Sequence, residues 1–572
     1  MSTSRKLSLP LILGVLAACQ APSGALRVGP ILPASNGGVV SVEPLASVIG
    51  ARVLADGGSA VDAAVATAFA LAVTWPEAGN LGGGGFMLVR PARGAAAFID
   101  YRETAPLRAQ PEMFLGEGGA VDPAGVRLGF LPVGVPGTVA GLFLAHQEYG
   151  RLPWSELVLP AARLAEQGFE VGAPLAASMA RHAKELSLCD QAARVFLDGE
   201  GRPLQAGERL RQPDLARSLR LIAEQGPAAF YRGEIAERIV ADSDRRGGIL
   251  AREDFERYRA VLRKPLEGEY RGVKILAGPP PTSGGAVLIE SLNQLESFDL
   301  SALEAGSAEE LHLLVEAQRR SFLDRALSLG DPEFVSNPLD RLLDKRYAAE
   351  LARGIDLERA TSSDQLAGDL DGTLPHAESE QTTHFSVVDR DGNAVANTYT
   401  LEESWGAKTM AAGTGILLNN EMHDFNVTPG VSDRKGRIGT EPNRIRPGKR
   451  MLSSMCPVIL TRQGRLLLVA GSPGGRTIPS TVLRVVTGVI DHDLPLRDAV
   501  ALPRVHHGLY PDVVSVEAGV PERAVAGLLD RGHELRAIAS QGDCHAIGLN
   551  PETGQLQAVA DRRISGGAAA PR

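Results

Sequence analysis

A chain of 572 residues with a formal net charge of −9 lacks the basic excess of a nucleic-acid binder, and so mild a charge names no partner. With 44% hydrophobic and 22% charged residues, its composition is that of a soluble globular protein with ample core. Of four cysteines, Cys19 is set aside with the N-terminal segment, and Cys189, Cys456 and Cys544 lie far apart without CxxC or Cys/His spacing, so that one disulfide is open but no disulfide framework or zinc site is indicated.

The N-terminus pairs Arg5 and Lys6 with an apolar run, Leu7–Ala18, too short to span a bilayer. That pattern predicts a secretory signal over 1–18. Its ending, Leu16-Ala17-Ala18-Cys19, is similar to the bacterial lipoprotein box, in which the cysteine becomes the lipidated first residue. Gln20 is not the Asp that retains such proteins at the inner membrane, so the expected place is the periplasm, on an outer-membrane lipid anchor. Residues 19–40 read as a flexible tether rich in Ala, Pro, Ser and Gly.

Ser59 with Asp62 predicts a capped helix running through Ala-rich sequence to Val73, too short for a membrane and therefore buried. Gly82-Gly83-Gly84-Gly85 lets a backbone approach something closely, and no Gly-Lys-Ser/Thr follows to make it a phosphate loop. Phe86–Arg90 and Phe98–Arg102 read as strands, Pro153–Arg353 as mostly helical, and 354–381 as an acidic exposed loop. Thr382–Val388 and Ala394–Thr400 flank the turn Asp389-Arg390-Asp391-Gly392-Asn393 and predict a hairpin. Leu466–Ala470 is a further strand and Ser480–Asp491 a helix. Strands clustered at both ends predict one interlaced domain.

Hairpin pairing places Thr382 opposite Thr400. If the peptide bond before Thr382 were cut, its hydroxyl would sit beside a free α-amine, whose ordinary pKa is about 7.7–8.0. A threonine with its own amine as base is a recognised nucleophile, and it needs no catalytic histidine. Gly474-Gly475 after a strand suits an oxyanion hole, where each donor is worth roughly 3–4 kcal/mol.

Thr382–Asp389, Asn419–Phe425, Leu452–Met455 and Gly471–Gly475 together resemble the γ-glutamyltransferase (glutathione hydrolase) family. So do Asp56–Ala64, Gly79–Phe86, Tyr101–Pro106 and Val135–Thr138, and the likeness runs in the family's order from about residue 40 to 563. The resemblance implies an α+β fold, a four-layer αββα sandwich of the N-terminal-nucleophile hydrolase type. It implies a chain cut by itself between Gln381 and Thr382 into a heterodimer of a large subunit, 41–381, and a small catalytic one, 382–572. Thr382 is then the nucleophile, Thr400 the threonine that orients it, and Gly474 and Gly475 the oxyanion glycines. Arg102, Ser453 and Ser454 match the residues that hold the substrate α-carboxylate; Glu421 and Asp424 match those facing its α-ammonium. The implied partners are glutathione and other γ-glutamyl donors, with amino acids, peptides or water as acceptors and no cofactor or metal.

Two departures stand out. Glu402 occupies the place of an asparagine that contacts the glutamyl amine, and either reinforces that contact, shifts specificity, or turns outward. Pro429–Arg450 has the length of the family's lid, with Lys435 where many bacterial members carry a tyrosine. Its excess of Arg and Lys reads either as an attractor of anionic donors or as a solvated mobile loop. Two other readings stay open: an acylase of poly-γ-glutamate or glutaryl-type donors, and a lipid-anchored binding protein that does not cleave itself.

Overall fold

A computed structural model describes residues 26–368, 382–430, 440–551 and 553–571. The predicted signal, Cys19, Gln381 and Lys435 lie outside the described residues. Fifteen strands form two facing sheets. In chain order they are β1 (Leu26–Gly29), β2 (Ile31–Pro33), β3 (Gly37–Ser41), β4 (Gly84–Arg90), β5 (Ala97–Tyr101), β6 (Val261–Arg263), β7 (Leu266–Tyr270) and β8 (Val273–Ala277). After these come β9 (Thr383–Asp389), β10 (Ala394–Thr400), β11 (Val458–Arg462), β12 (Arg465–Ala470), β13 (Ala546–Leu549), β14 (Leu556–Val559) and β15 (Gly567–Pro571). One sheet has the order β1-β15-β3-β9-β10-β4-β5-β6 and the other β2-β14-β13-β12-β11-β8-β7. All neighbours are antiparallel.

Helices cover both outer faces. On the first sheet, α1 (Pro44–Ala55) lies over β3 and β15 and α2 (Ala60–Thr74) over β9 and β10. On the second, α3 (Gly284–Leu295) lies over β7 and β8, with α4 (Ala308–Ser328) and α5 (Ile478–Ile490) beside it. Strands β9 and β10 touch β11, β12 and β13 across the middle, which completes the expected αββα sandwich.

The period of two explains why the central strands are apolar on both faces. In β4, Met87 and Val89 pack with the α1–α2 side, while Phe86 and Leu88 pack between the sheets. Helix α2 starts where its cap predicts. Ser59 Oγ accepts the Asp62 N–H at 3.1 Å, the Asp62 carboxylate accepts the Ser59 N–H at 2.8 Å, and every residue of the helix is buried.

Strands from before and after residue 381 alternate in both sheets: β15 lies between β1 and β3, β9 and β10 between β3 and β4, and β8 beside β11. The glycine run serves this packing. A Cβ on Gly83 would lie 2.1 Å from the carbonyl oxygen of Thr400, and one on Gly85 2.4 Å from that of Thr398. Backbone cannot retreat as a flexible side chain can. Gly83→Ala is therefore expected to cost about 3 kcal/mol or more, read as a lowered urea midpoint; an unchanged midpoint would refute the close packing.

Candidate active site

The register of β9 and β10 pairs Thr383 with Tyr399 and Val388 with Ala394. One further step sets Thr382 against Thr400, as the sequence predicts, and both are buried. Thr400 is fixed by several motifs at once. Its carbonyl accepts Asn80 Nδ2 at 2.8 Å, while Asn80 Oδ1 accepts the Gly83 N–H at 3.0 Å and the Thr138 hydroxyl at 2.7 Å. Its own hydroxyl oxygen accepts the Glu402 N–H at 2.9 Å.

One cavity is lined by Thr382, Thr400, Arg102, Glu402, Glu421, Asp424, Ser453, Ser454 and Gly475, with Met455 and Ile478. Gly474, the residue before Gly475, borders a neighbouring, wider cleft that also takes in Trp75, Arg181, Thr477 and Gln541. The smaller cavity gathers the threonine pair and the clustered charges. Gly474 at φ +130° and Gly475 at φ +52° make the turn between the two spaces, a left-handed path that suits glycine. A short 3₁₀ turn, Gly475–Thr477, then runs into α5. The positive end of that helix therefore stands at the cavity wall.

Arg102, fully buried just after β5, is the cavity's strongest cation. Its Nη1 lies 2.7 Å from Glu421 and 3.7 Å from Glu103, and its Nη2 pairs with Asp424. Burial pushes Glu103 up to about 8 and raises Glu421 well above the carboxylate range, with Arg102 opposing in both cases. Three acids, Glu103, Glu421 and Asp424, thus surround one guanidinium, while Glu402 lines the same cavity and the imidazole of His423 lies 3.3 Å from it. An amino-acid head group fits this imbalance, since its carboxylate can take over Arg102 and its ammonium can face the acids Arg102 releases.

Sequence reasoning missed three neighbours. Arg325 on α4 donates to Ser454 Oγ at 3.0 Å and to Ser283 Oγ at 2.9 Å, and Ser283 in turn donates to the Ser453 carbonyl at 2.7 Å. Glu103 and His423 flank residues that were singled out, and their own motifs were the available signal. Glu402, Glu403 and His423 come close enough to hold a cation. Glu403, however, already pairs with Lys408 and with Arg127, which donates at 2.9 Å, so the charge a metal would supply is present.

The lid reading needs correction at its C-terminal end. Lys449 and Arg450 belong to no solvated loop. Lys449 is fully buried, with Nζ donating to the carbonyls of Pro442 at 2.7 Å and Arg444 at 3.1 Å, and burial lowers it to about 8. Arg450 is held by Asp100 at 3.5 Å and Glu333 at 3.4 Å. Buried carbonyls and carboxylates, not solvent, are the partners of these cations. Cys189, Cys456 and Cys544 are free and buried, so no disulfide links them.

Two facing antiparallel sheets between helical layers, with a threonine at the head of a central strand, define the architecture of the N-terminal-nucleophile hydrolases. The family model described as Gamma-glutamyltranspeptidase matches residues 46–571. The glutathione hydrolase proenzyme of Escherichia coli (strain K12) is 43% identical over 530 residues, covering 93% of this chain and 91% of its own. That of Pseudomonas aeruginosa is 40% identical, covering 93% and 94%. A cephalosporin acylase from Bacillus halodurans superposes with a TM-score of 0.83 at 28% identity, covering 96% of this chain and 98% of its own. The chain belongs to the γ-glutamyltranspeptidase family.

Proposed function

We propose that this protein is a glutathione hydrolase and γ-glutamyltransferase that works through a γ-glutamyl ester on Thr382. The observation that carries this reading is the sharing of one small cavity by the Thr382–Thr400 pair and a set of charges suited to an amino-acid head group. The relatives named glutathione hydrolase proenzyme support it. Self-cleavage between Gln381 and Thr382 frees the α-amine and leaves a heterodimer of a small piece, 382–572, and a large piece that ends at Gln381 and carries β1, β2 and β3 as well as 41–381. The amine takes the proton of the Thr382 hydroxyl as its Oγ attacks the γ-carbonyl carbon, and Thr400 orients that hydroxyl. Negative charge on the carbonyl oxygen meets the N–H groups of Gly474 and Gly475. The amide C–N bond then breaks, and the departing amine takes the proton back. Water or an acceptor amine attacks the ester by the same route in reverse. Arg102, Ser453 and Ser454 hold the donor's α-carboxylate, and Glu402, Glu421 and Asp424 face its α-ammonium.

Among the described residues no helix is long and apolar enough to cross a membrane. We place the protein in the periplasm, secreted by residues 1–18 and lipidated on Cys19 at the outer membrane, on the strength of Leu16-Ala17-Ala18-Cys19. The expected flexible tether does not extend to residue 40, because Leu26–Gly29, Ile31–Pro33 and Gly37–Ser41 are paired strands of the two sheets.

Rapid acid quench during turnover of glutathione is expected to trap one γ-glutamyl group on the fragment that begins at Thr382, seen by intact mass. Turnover without that adduct, under conditions where deacylation is slowed by withholding acceptor, would overturn the covalent route. The acylase likeness offers a second reading, with glutaryl-type donors. Glu421 and Asp424 weigh against it, because a donor with no ammonium leaves both facing nothing cationic but Arg102.

A further inference from the structure

Glu402 and His423 are brought together from different parts of the chain. His423 Nδ1 lies 3.3 Å from Glu402 Oε1, and their side chains are only 4% and 2% exposed. Glu402 stands at φ +80°, a left-handed conformation that residues with side chains seldom adopt. Its N–H is tied to the Thr400 hydroxyl oxygen, so the turn that aims its carboxylate at the cavity is anchored on the threonine pair. His423 comes from the one-turn helix Glu421–Asp424, whose two acids line the same cavity.

Resting on the function proposed above, we propose that Glu402 and His423 form a proton-sharing pair that recognises the donor's α-ammonium, with His423 the positioning residue. With one shared proton the pair is neutral. Without it, the pair places one negative charge at the ammonium end of the cavity. The charged groups around it are Glu421 and Asp424 on the same turn, Arg102 and Glu103 after β5, and Glu403 with its partners Lys408 and Arg127. Burial alone would lower His423, but the Glu402 carboxylate overrides it and holds the imidazole above its ordinary 6.5; burial raises Glu402 against the opposing pull of His423. The pair therefore keeps its proton at mildly acid pH and sheds it on the alkaline side of the usual imidazole value. Because the deprotonated form attracts an ammonium more strongly, proton and ammonium compete, and affinity for amine-bearing ligands rises with pH. A ligand that lacks the amine feels no such change. A free Thr382 amine, with an ordinary pKa of about 7.7–8.0, would stand at the γ-carboxylate end that both ligands share.

The test compares L-glutamate and glutarate as competitive inhibitors of γ-glutamyl anilide hydrolysis, and follows the ratio of inhibition constants, glutarate over L-glutamate, against pH. The ratio is expected to climb at least about fivefold between about pH 6 and about pH 8. In Glu402→Gln it should stay flat, and in His423→Gln the rise should be displaced or lost. Self-cleavage into two fragments certifies that each variant has folded. A flat ratio in the unsubstituted enzyme, or the unsubstituted curve kept by either variant, overturns the proposal. A merely structural role would weaken both inhibitors equally at every pH and leave the curve in place. Failure of the proposed function itself would look different: no γ-glutamyl anilide would be hydrolysed at any pH.

Discussion

Thr382→Ala is expected to remain one uncut chain and to lose γ-glutamyl turnover by about 10⁴-fold or more, as loss of a nucleophile does in comparable acyl-transfer enzymes. Two functions fail together because one hydroxyl performs both. In self-cleavage its oxygen attacks the Gln381 carbonyl carbon, the C–N bond breaks to free the Thr382 amine and leave an ester, and water then splits the ester into the Gln381 carboxylate and the free hydroxyl. In turnover the same oxygen takes the glutamyl group. Thr382→Ser, which keeps a hydroxyl in the same place opposite Thr400, should cleave itself more slowly but completely. Intact mass after long incubation decides. An alanine variant that still splits before residue 382 would mean the cut is made by another group, and the binding-protein reading would regain its force if the unsubstituted chain stayed whole.

Arg102→Ala should separate binding from self-cleavage. The guanidinium is fully buried and lies within 3.7 Å of Glu103 and 2.7 Å of Glu421. Its removal leaves buried acids without their cation, a change that costs about 3–5 kcal/mol in folded proteins. Part of that cost is avoided because Glu103 and Glu421, already raised by burial, take up protons. Loss of a charge-assisted grip on a carboxylate is worth about 2–5 kcal/mol, so kcat/KM should fall by roughly 10²- to 10³-fold, mostly through KM. Self-cleavage involves no substrate head group and should go to completion. Arg102→Lys, which keeps the charge but not the fork, should recover part of the loss. If cleavage and turnover fell in equal proportion for both variants, the assignment of Arg102 to the donor's carboxylate would be wrong.

The parts of this molecule most legible in the sequence were those governed by local rules. The cap at Ser59 predicted where α2 begins, and a turn of Asp, Gly and Asn fixed the hairpin register that sets Thr382 against Thr400. The glycine run announced close backbone contact, though not that its neighbour would be Thr400. What escaped was charge inside the fold. Helix α4 is rich in charge, yet Glu310, Glu316, Arg319, Arg320 and Arg325 on it are all buried, with partners both on the helix and distant in the chain. No periodicity distinguishes such a helix from a surface one, so Arg325 could not be picked out as a support for Ser454. Lys449 and Arg450 misled in the same way, because a run of basic residues predicts exposure only when no buried acceptors await it. His423 sat between two singled-out acids and was passed over because its meaning depends on Glu402, twenty-one positions away.

The alternation of early and late strands in both sheets bears on the lifetime of the protein. Before a cut at residue 382, refolding is a first-order event. Afterwards the same ladders join separate molecules, since β15, β9 and β10 are wedged among strands of the other piece. Neither piece can leave without opening sheets on both sides of the core, so dissociation and unfolding become one event. Recovery from it would depend on concentration. Such a cut would make a one-way assembly, whose endurance would be set by the height of the barrier to opening rather than by equilibrium stability.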